Sequence, residues 1–116
     1  MKKKVIIVED NELLLILNQR YLDKCNCEVV GTTTDFDEFS SMVEEHKPDI
    51  ILMDVFLGQE RDGIDFVASL PDLKAKVIYL SGSSDQVVLE KASKTKYHSF
   101  LNKPILLNEL MSAVYD

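Results

Sequence analysis

With 116 residues, the chain is long enough for one domain with a real hydrophobic core and too short for two. A formal net charge of −7 excludes the basic surface that nucleic acid selects and disfavours adhesion to an anionic membrane. At 46% hydrophobic and 28% charged residues, the composition is that of an ordinary globular protein, and no apolar run approaches the length of a bilayer span.

Lys2, Lys3 and Lys4 precede the apolar Val5–Val8, as in a secretion signal, but Glu9, Asp10 and Asn11 end that region too early. The lysines read as a solvated strand entry. Val5–Val8 lacks polar alternation, which predicts a strand buried on both faces. From Asn11 to about Cys25, the residues Leu13, Leu14, Ile16, Leu17, Tyr21 and Leu22 recur at helical spacing and predict a broad apolar face. Cys25 and Cys27 are too close in sequence to staple a fold, and without a second ligand pair they make no zinc site. A reducing, cytoplasmic compartment is therefore expected.

Val29–Val30 predicts a weak second strand. A helix follows from about Asp35 to Glu45, with Phe36, Phe39, Met42 and Val43 on one side. Ile50–Met53 predicts the third strand, and a short helix near Ile64–Leu70 is closed by Pro71. Val77–Leu80 predicts the fourth strand. Ser84 is the expected N-cap of a helix carrying Val87, Val88, Leu89 and Ala92. Ser99–Asn102, around Phe100 and Leu101, predicts the fifth strand. Leu106, Leu107, Leu110, Met111 and Val114 predict the last helix. His46 and His98 are isolated and read as surface residues.

Strands and helices alternate five times, without repeat or linker, so residues 1–116 read as one domain. The expected fold is α/β: a doubly wound (βα)5 parallel sheet of order 2-1-3-4-5, a flavodoxin-like sandwich of three layers. The three strongest runs should be central, and the second and fifth strands should be edges.

In such sheets ligands bind beyond the carboxyl ends of the strands, where the winding reverses between strands one and three. Glu9 and Asp10 follow strand one, and Asp54 follows strand three. Crowded carboxylates resist ionising together, and a hard divalent cation with oxygen ligands resolves that conflict. Ser81 closes strand four, and Lys103 follows strand five just before Pro104. Taken singly, each residue has an ordinary reading as a loop carboxylate, a helix-terminal charge, a turn serine or a surface lysine. Together they supply a carboxylate nucleophile, a metal site, a hydroxyl donor and an ammonium, which suits an aspartyl phosphate.

The segments VIIVEDN, PDIILMDVFL, DGIDF, VIYLSG and FLNKP stand in that order at strand ends, and with them the whole chain resembles the receiver domain of response regulators. The resemblance implies that Asp54 is the phosphoacceptor. It implies that Glu9, Asp10, Asp54 and the Phe56 backbone carbonyl hold Mg2+, with Mn2+ as a substitute. Ser81 resembles the switch hydroxyl, Lys103 the phosphoryl-contacting lysine and Phe100 the aromatic switch residue. The implied phosphodonor is a sensor histidine kinase or a histidine phosphotransfer protein. An unidentified output partner would use the face of helix four, strand five and helix five, with homodimerisation through that face left open. No direct contact with nucleic acid or membrane is implied, and the protein would be a substrate-like switch rather than a conventional enzyme.

The chain also departs from the family pattern. The stretch from Asp54 to Asp62-Gly63 lacks a frequent proline and is one residue longer. Phe56 and Ser83 hold positions that tune phosphoryl lifetime, and a bulky Phe56 predicts slow dephosphorylation. Lys96-Tyr97 replaces a common Gly-Ala, so the fourth helix should end differently. Three rivals fit less well. A flavodoxin-like cofactor binder needs phosphate donors where Glu9-Asp10-Asn11-Glu12 stands. A pseudo-receiver would not need the complete residue set. An aspartyl phosphatase needs a general acid where Val55 and Phe56 follow Asp54.

Overall fold

The computed structural model describes residues 2–83 and 85–116. Runs of β-rich apolar residues without polar alternation must be covered on both faces, which forces them to the middle of a sheet. Accordingly, β1 (Lys3–Val8), β3 (Ile50–Asp54) and β4 (Lys76–Ser81) lie at the centre, flanked by β2 (Cys27–Thr33) and β5 (Ser99–Asn102). The sheet is parallel, in the order β2-β1-β3-β4-β5. The crossovers contain α1 (Glu12–Lys24), α2 (Phe36–His46), α3 (Gly63–Ala68) and α4 (Gln86–Ser93), and α5 (Leu107–Tyr115) follows β5.

Strand periodicity divides the core in two. Val5, Ile7, Ile50, Leu52 and Ile78 point to one side, where Leu22 of α1 and Leu110 and Val114 of α5 cover them. Ile6, Val8, Ile51, Met53 and Tyr79 point to the other, against Phe39, Ile64, Phe66 and Ala92 of α2, α3 and α4. Each fully buried aliphatic side chain contributes roughly 1.5–3 kcal/mol of transfer free energy, so these two layers are the main stabilising term.

Side-chain caps fix where α1, α2, α3 and α4 begin. Asn11 Oδ1 accepts from Leu14 N at 3.1 Å, and Asp35 Oδ2 accepts from Glu38 N at 2.9 Å. The expected cap Ser84 lies outside the described residues, and Asp85 caps α4 through its Oδ1, which accepts from Val88 N at 3.0 Å. Without a left-handed glycine, α4 ends at Lys94 in ordinary helical geometry, and the Thr95 hydroxyl donates to Ala92 O at 2.7 Å.

Several expectations need correction. β2 extends over seven residues, well beyond Val29–Val30, because pairing with β1 supplies what its mixed sequence lacks. Its register slips between Val5 and Ile6, leaving Val30 as an extra residue in a bulge. Helix α3 ends at Ala68, two residues before the expected end. The apolar face of α1 is narrower than its composition suggests: Leu13 is 78% exposed and Ile16 is exposed, whereas polar Asn18 is buried. Nor is Lys4 merely solvated, since its Nζ donates to His46 O at 2.7 Å and satisfies a carbonyl at the end of α2.

Candidate functional site

Three acidic residues meet at the carboxyl ends of the central strands. β1 and β3 are direct neighbours, with Val8 opposite Met53, so Asp54, the last residue of β3, emerges beside Glu9 and Asp10, which follow β1. Glu9, Asp10 and Asp54 each bring a carboxylate oxygen within 4.8 Å of the others. Glu9 and Asp54 are buried and Asp10 is exposed. From β5, Lys103 reaches across with Nζ 3.0 Å from Asp54 Oδ1 and 3.3 Å from Glu9 Oε1. The peptide bond between Lys103 and Pro104 is cis, and Lys103 N donates to Ser81 O at 2.8 Å.

The electrostatics follow from this crowding. Burial, and then the Glu9 carboxyl beside it, push the Asp54 carboxyl up to about 7 against the downward pull of Lys103. One ammonium faces two buried carboxylates, and among the described residues no Lys or Arg pairs with Asp10. An all-oxygen cluster with this surplus of negative charge fits a hard divalent cation such as magnesium.

The loop after β3 closes over this cluster. Gly58 has φ of +66°, and a Cβ there would lie 3.3 Å from Asp10 Oδ2, so the chain passes close to the acidic group. Gly63 N donates to Val55 O at 2.8 Å and closes the base of the loop. Its outer arc is held by Gln59 Nε2, which donates to Thr34 O at 2.8 Å. The Arg61 guanidinium lies over the Phe36 ring, 4.1 Å from its centroid. The Phe56 side chain is half exposed on this loop.

Ser81 and Phe100 lie at different points around the rim. Ser81 is fully buried one residue beyond Leu80, the register partner of Asp54. Its hydroxyl donates to Ser83 O at 2.6 Å and accepts from Ser83 N at 3.0 Å, so it is engaged with the loop leading to α4. Phe100 is half-buried on β5, with its ring 6.2 Å from that of Tyr79. Tyr79 also packs against Tyr97 and shares a 2.8 Å hydrogen bond with the Thr95 hydroxyl.

Sequence reasoning missed a second ionic group beside the first. Asp62 Oδ1 accepts from Asp65 N at 2.8 Å, and Asp65 Oδ2 accepts from Asp62 N at 2.9 Å, a reciprocal cap on α3. The free oxygen of each carboxylate faces Lys91 Nζ of α4, at 2.8 Å and 3.0 Å. The Asp-x-x-Asp spacing signals the cap. Nothing local signals Lys91, which lies 29 positions from Asp62.

Parallel strands in this order, with polar chemistry at the carboxyl ends of β1 and β3, define a doubly wound, flavodoxin-like protein of the receiver type. The sequence matches the response regulator receiver domain over residues 5–115, and the chain belongs to that family. It is 30% identical over 116 residues to the chemotaxis protein CheY of Thermotoga maritima, covering 98% of this chain and 96% of that protein. It is 30% identical over 113 residues to the transcriptional regulatory protein PdtaR of Mycobacterium tuberculosis, covering 97% of this chain. The chain spans about half of PdtaR, 55% of its length. The signal receiver domain of a modulated diguanylate cyclase from Desulfovibrio desulfuricans has the same fold, with a TM-score of 0.89 at 24% identity, over 99% of this chain and 92% of that one. Members of this family are signalling switches of two-component systems. Among the described residues, no helix is long and apolar enough to cross a membrane.

Proposed function

We propose that residues 1–116 form one receiver domain in which Asp54 accepts a phosphoryl group from a phosphohistidine and thereby switches the face of α4, β5 and α5. The observation that carries this reading is the buried Asp54 carboxylate, with Lys103 Nζ 3.0 Å away and oxygens of Glu9 and Asp10 within 4.8 Å. The donor would be a sensor histidine kinase or a histidine phosphotransfer protein, and the working compartment the cytoplasm, where the free Cys25 and Cys27 stay reduced. A flavin phosphate is disfavoured, because Glu9 and Asp10 stand where its donors would be needed.

In the reaction an Asp54 oxygen attacks phosphorus, and the bond from phosphorus to the donor imidazole nitrogen breaks. The electron pair returns to that nitrogen, which becomes part of a neutral imidazole once proton exchange is complete. Glu9, Asp10, Asp54 and the Phe56 carbonyl would hold magnesium, which when bound offsets the charge on the phosphoryl oxygens. Lys103 already lies against Asp54 and needs only a small turn of its side chain to meet the transferred group. Ser81 must first release Ser83, and that release couples the acceptor to the loop before α4. Phe100 can rotate inward once this loop has moved, so the switch is a shift between two packings.

The test is to locate the acceptor. After incubation with magnesium and a phosphohistidine-bearing donor, borohydride reduction of an aspartyl phosphate leaves homoserine. Peptide mapping should find homoserine at position 54; homoserine elsewhere, or none, contradicts the assignment. A further expectation concerns lifetime. The half-exposed Phe56, two residues after Asp54, would hinder water at the phosphoryl group, so Phe56→Asn should shorten its half-life by on the order of tenfold. An unchanged half-life would remove Phe56 from that role.

A further inference from the structure

Two separate connections tie α4 to the neighbourhood of Asp54. The first runs from Ser81 through Ser83 to Asp85, the cap of α4: Ser81 is bonded to Ser83, and Ser83 Oγ donates to Asp85 Oδ2 at 3.2 Å. The second is the clasp of Lys91 on Asp62 and Asp65. Its geometry is economical, because each aspartate uses one oxygen for the reciprocal cap of α3 and offers the other to the same ammonium. The base of the clasp is anchored: Gly63, between the two aspartates, donates its N–H to Val55 O next to Asp54. Both carboxylates are thus held in place before Lys91 arrives, which lowers the ordering cost of the ion pairs.

The two connections oppose each other when a phosphoryl group arrives. For Ser81 to turn toward Asp54, its bonds to Ser83 must break, and the linked N-terminus of α4 must follow. Lys91 resists that movement by holding the last turn of the same helix to α3.

We propose that Lys91 is a positioning residue that keeps α4 in its resting place by clasping Asp62 and Asp65, so that the clasp opposes phosphorylation of Asp54. This rests on the receiver reading above. Because the pairs are partly exposed, the expected effect is modest, about threefold. By linkage, whatever loosens the clasp favours the phosphorylated packing by the same factor.

The experiment compares the parent, Lys91→Met and Lys91→Arg in two readouts. One is the rate of mass gain with acetyl phosphate and magnesium. The other is hydrogen exchange of the α4 amides, residues 86–93, without phosphodonor. Lys91→Met should take up the phosphoryl group about threefold faster, and its α4 amides should exchange about threefold faster. Lys91→Arg should match the parent in both, since a guanidinium restores the ion pairs. Unchanged exchange in Lys91→Met, or, where the parent gains mass, uptake that is no faster than the parent's, overturns the proposal. If neither parent nor variants gain mass from acetyl phosphate or from a phosphohistidine donor, yet α4 exchanges faster only in Lys91→Met, the clasp stands and the receiver reading alone fails.

Discussion

Gly63→Ala is expected to destabilise the protein by about 3 kcal/mol or more, since an added methyl meets backbone more closely here than at Gly31, Gly58 or Gly82. A Cβ at this position would lie 2.1 Å from the backbone oxygen of Asp54 and 2.7 Å from Met53 Cγ. The methionine side chain can move, but the oxygen belongs to the last residue of a central strand and cannot. Relief requires α3 to back away, which breaks the bond from Gly63 N to Val55 O and opens the loop over the acidic cluster. Denaturant unfolding monitored by far-ultraviolet circular dichroism measures the loss. A midpoint indistinguishable from that of the parent would show that α3 does not approach β3 this closely. The same substitution should weaken magnesium binding even where the protein remains folded, because the loop carries the Phe56 carbonyl proposed above as a ligand.

The second large effect is a gain. In metal-free protein, Asp54→Asn should raise stability at neutral and alkaline pH by about 2 kcal/mol. The sign follows from the raised carboxyl, at about 7 in the folded protein against 3.8 for the ordinary group. Below pH 3.8 Asp54 is protonated whether folded or unfolded, and its charge costs nothing. As pH rises from there to about 7, only the unfolded chain ionises freely, so the parent loses stability across that window. The asparagine variant does not titrate and keeps it. Its advantage over the parent, measured in a chelating buffer, should therefore be small at pH 4 and full by pH 8. Magnesium should narrow it by binding the parent's ionised cluster more tightly. An advantage independent of pH would mean that Asp54 is not held in strained, desolvated surroundings.

How far the sequence could be read depended on whether the determining interaction was local. The uninterrupted apolar runs of β1, β3 and β4 report burial on both faces directly, and the sheet order followed from their strength. Glu9, Asp10, Asp54 and Lys103 sit at strand ends, so their convergence followed from the topology. The seven residues of β2 were under-read because edge pairing, rather than composition, extends them. Leu13 and Ile16 were over-read, because apolar spacing shows which residues share a helix face and not which of them finds a partner. Lys4, Lys91 and Gly63 each depend on a contact made by the completed fold. Lys4 meets a carbonyl 42 positions away, Lys91 meets an aspartate 29 positions away, and Gly63 makes room for a strand. The engagement of Ser81 by Ser83 was likewise hidden, since Ser-x-Ser at a strand end is common in turns of many kinds.

Phosphoryl acceptance at Asp54 is tested most directly by intact mass after incubation with magnesium and acetyl phosphate, with Asp54→Asn run in parallel. The parent should gain one phosphoryl group and the variant none, and chelating magnesium should abolish the addition. Addition to Asp54→Asn, or no addition to the parent from either acetyl phosphate or a phosphohistidine donor, would contradict acceptance at Asp54.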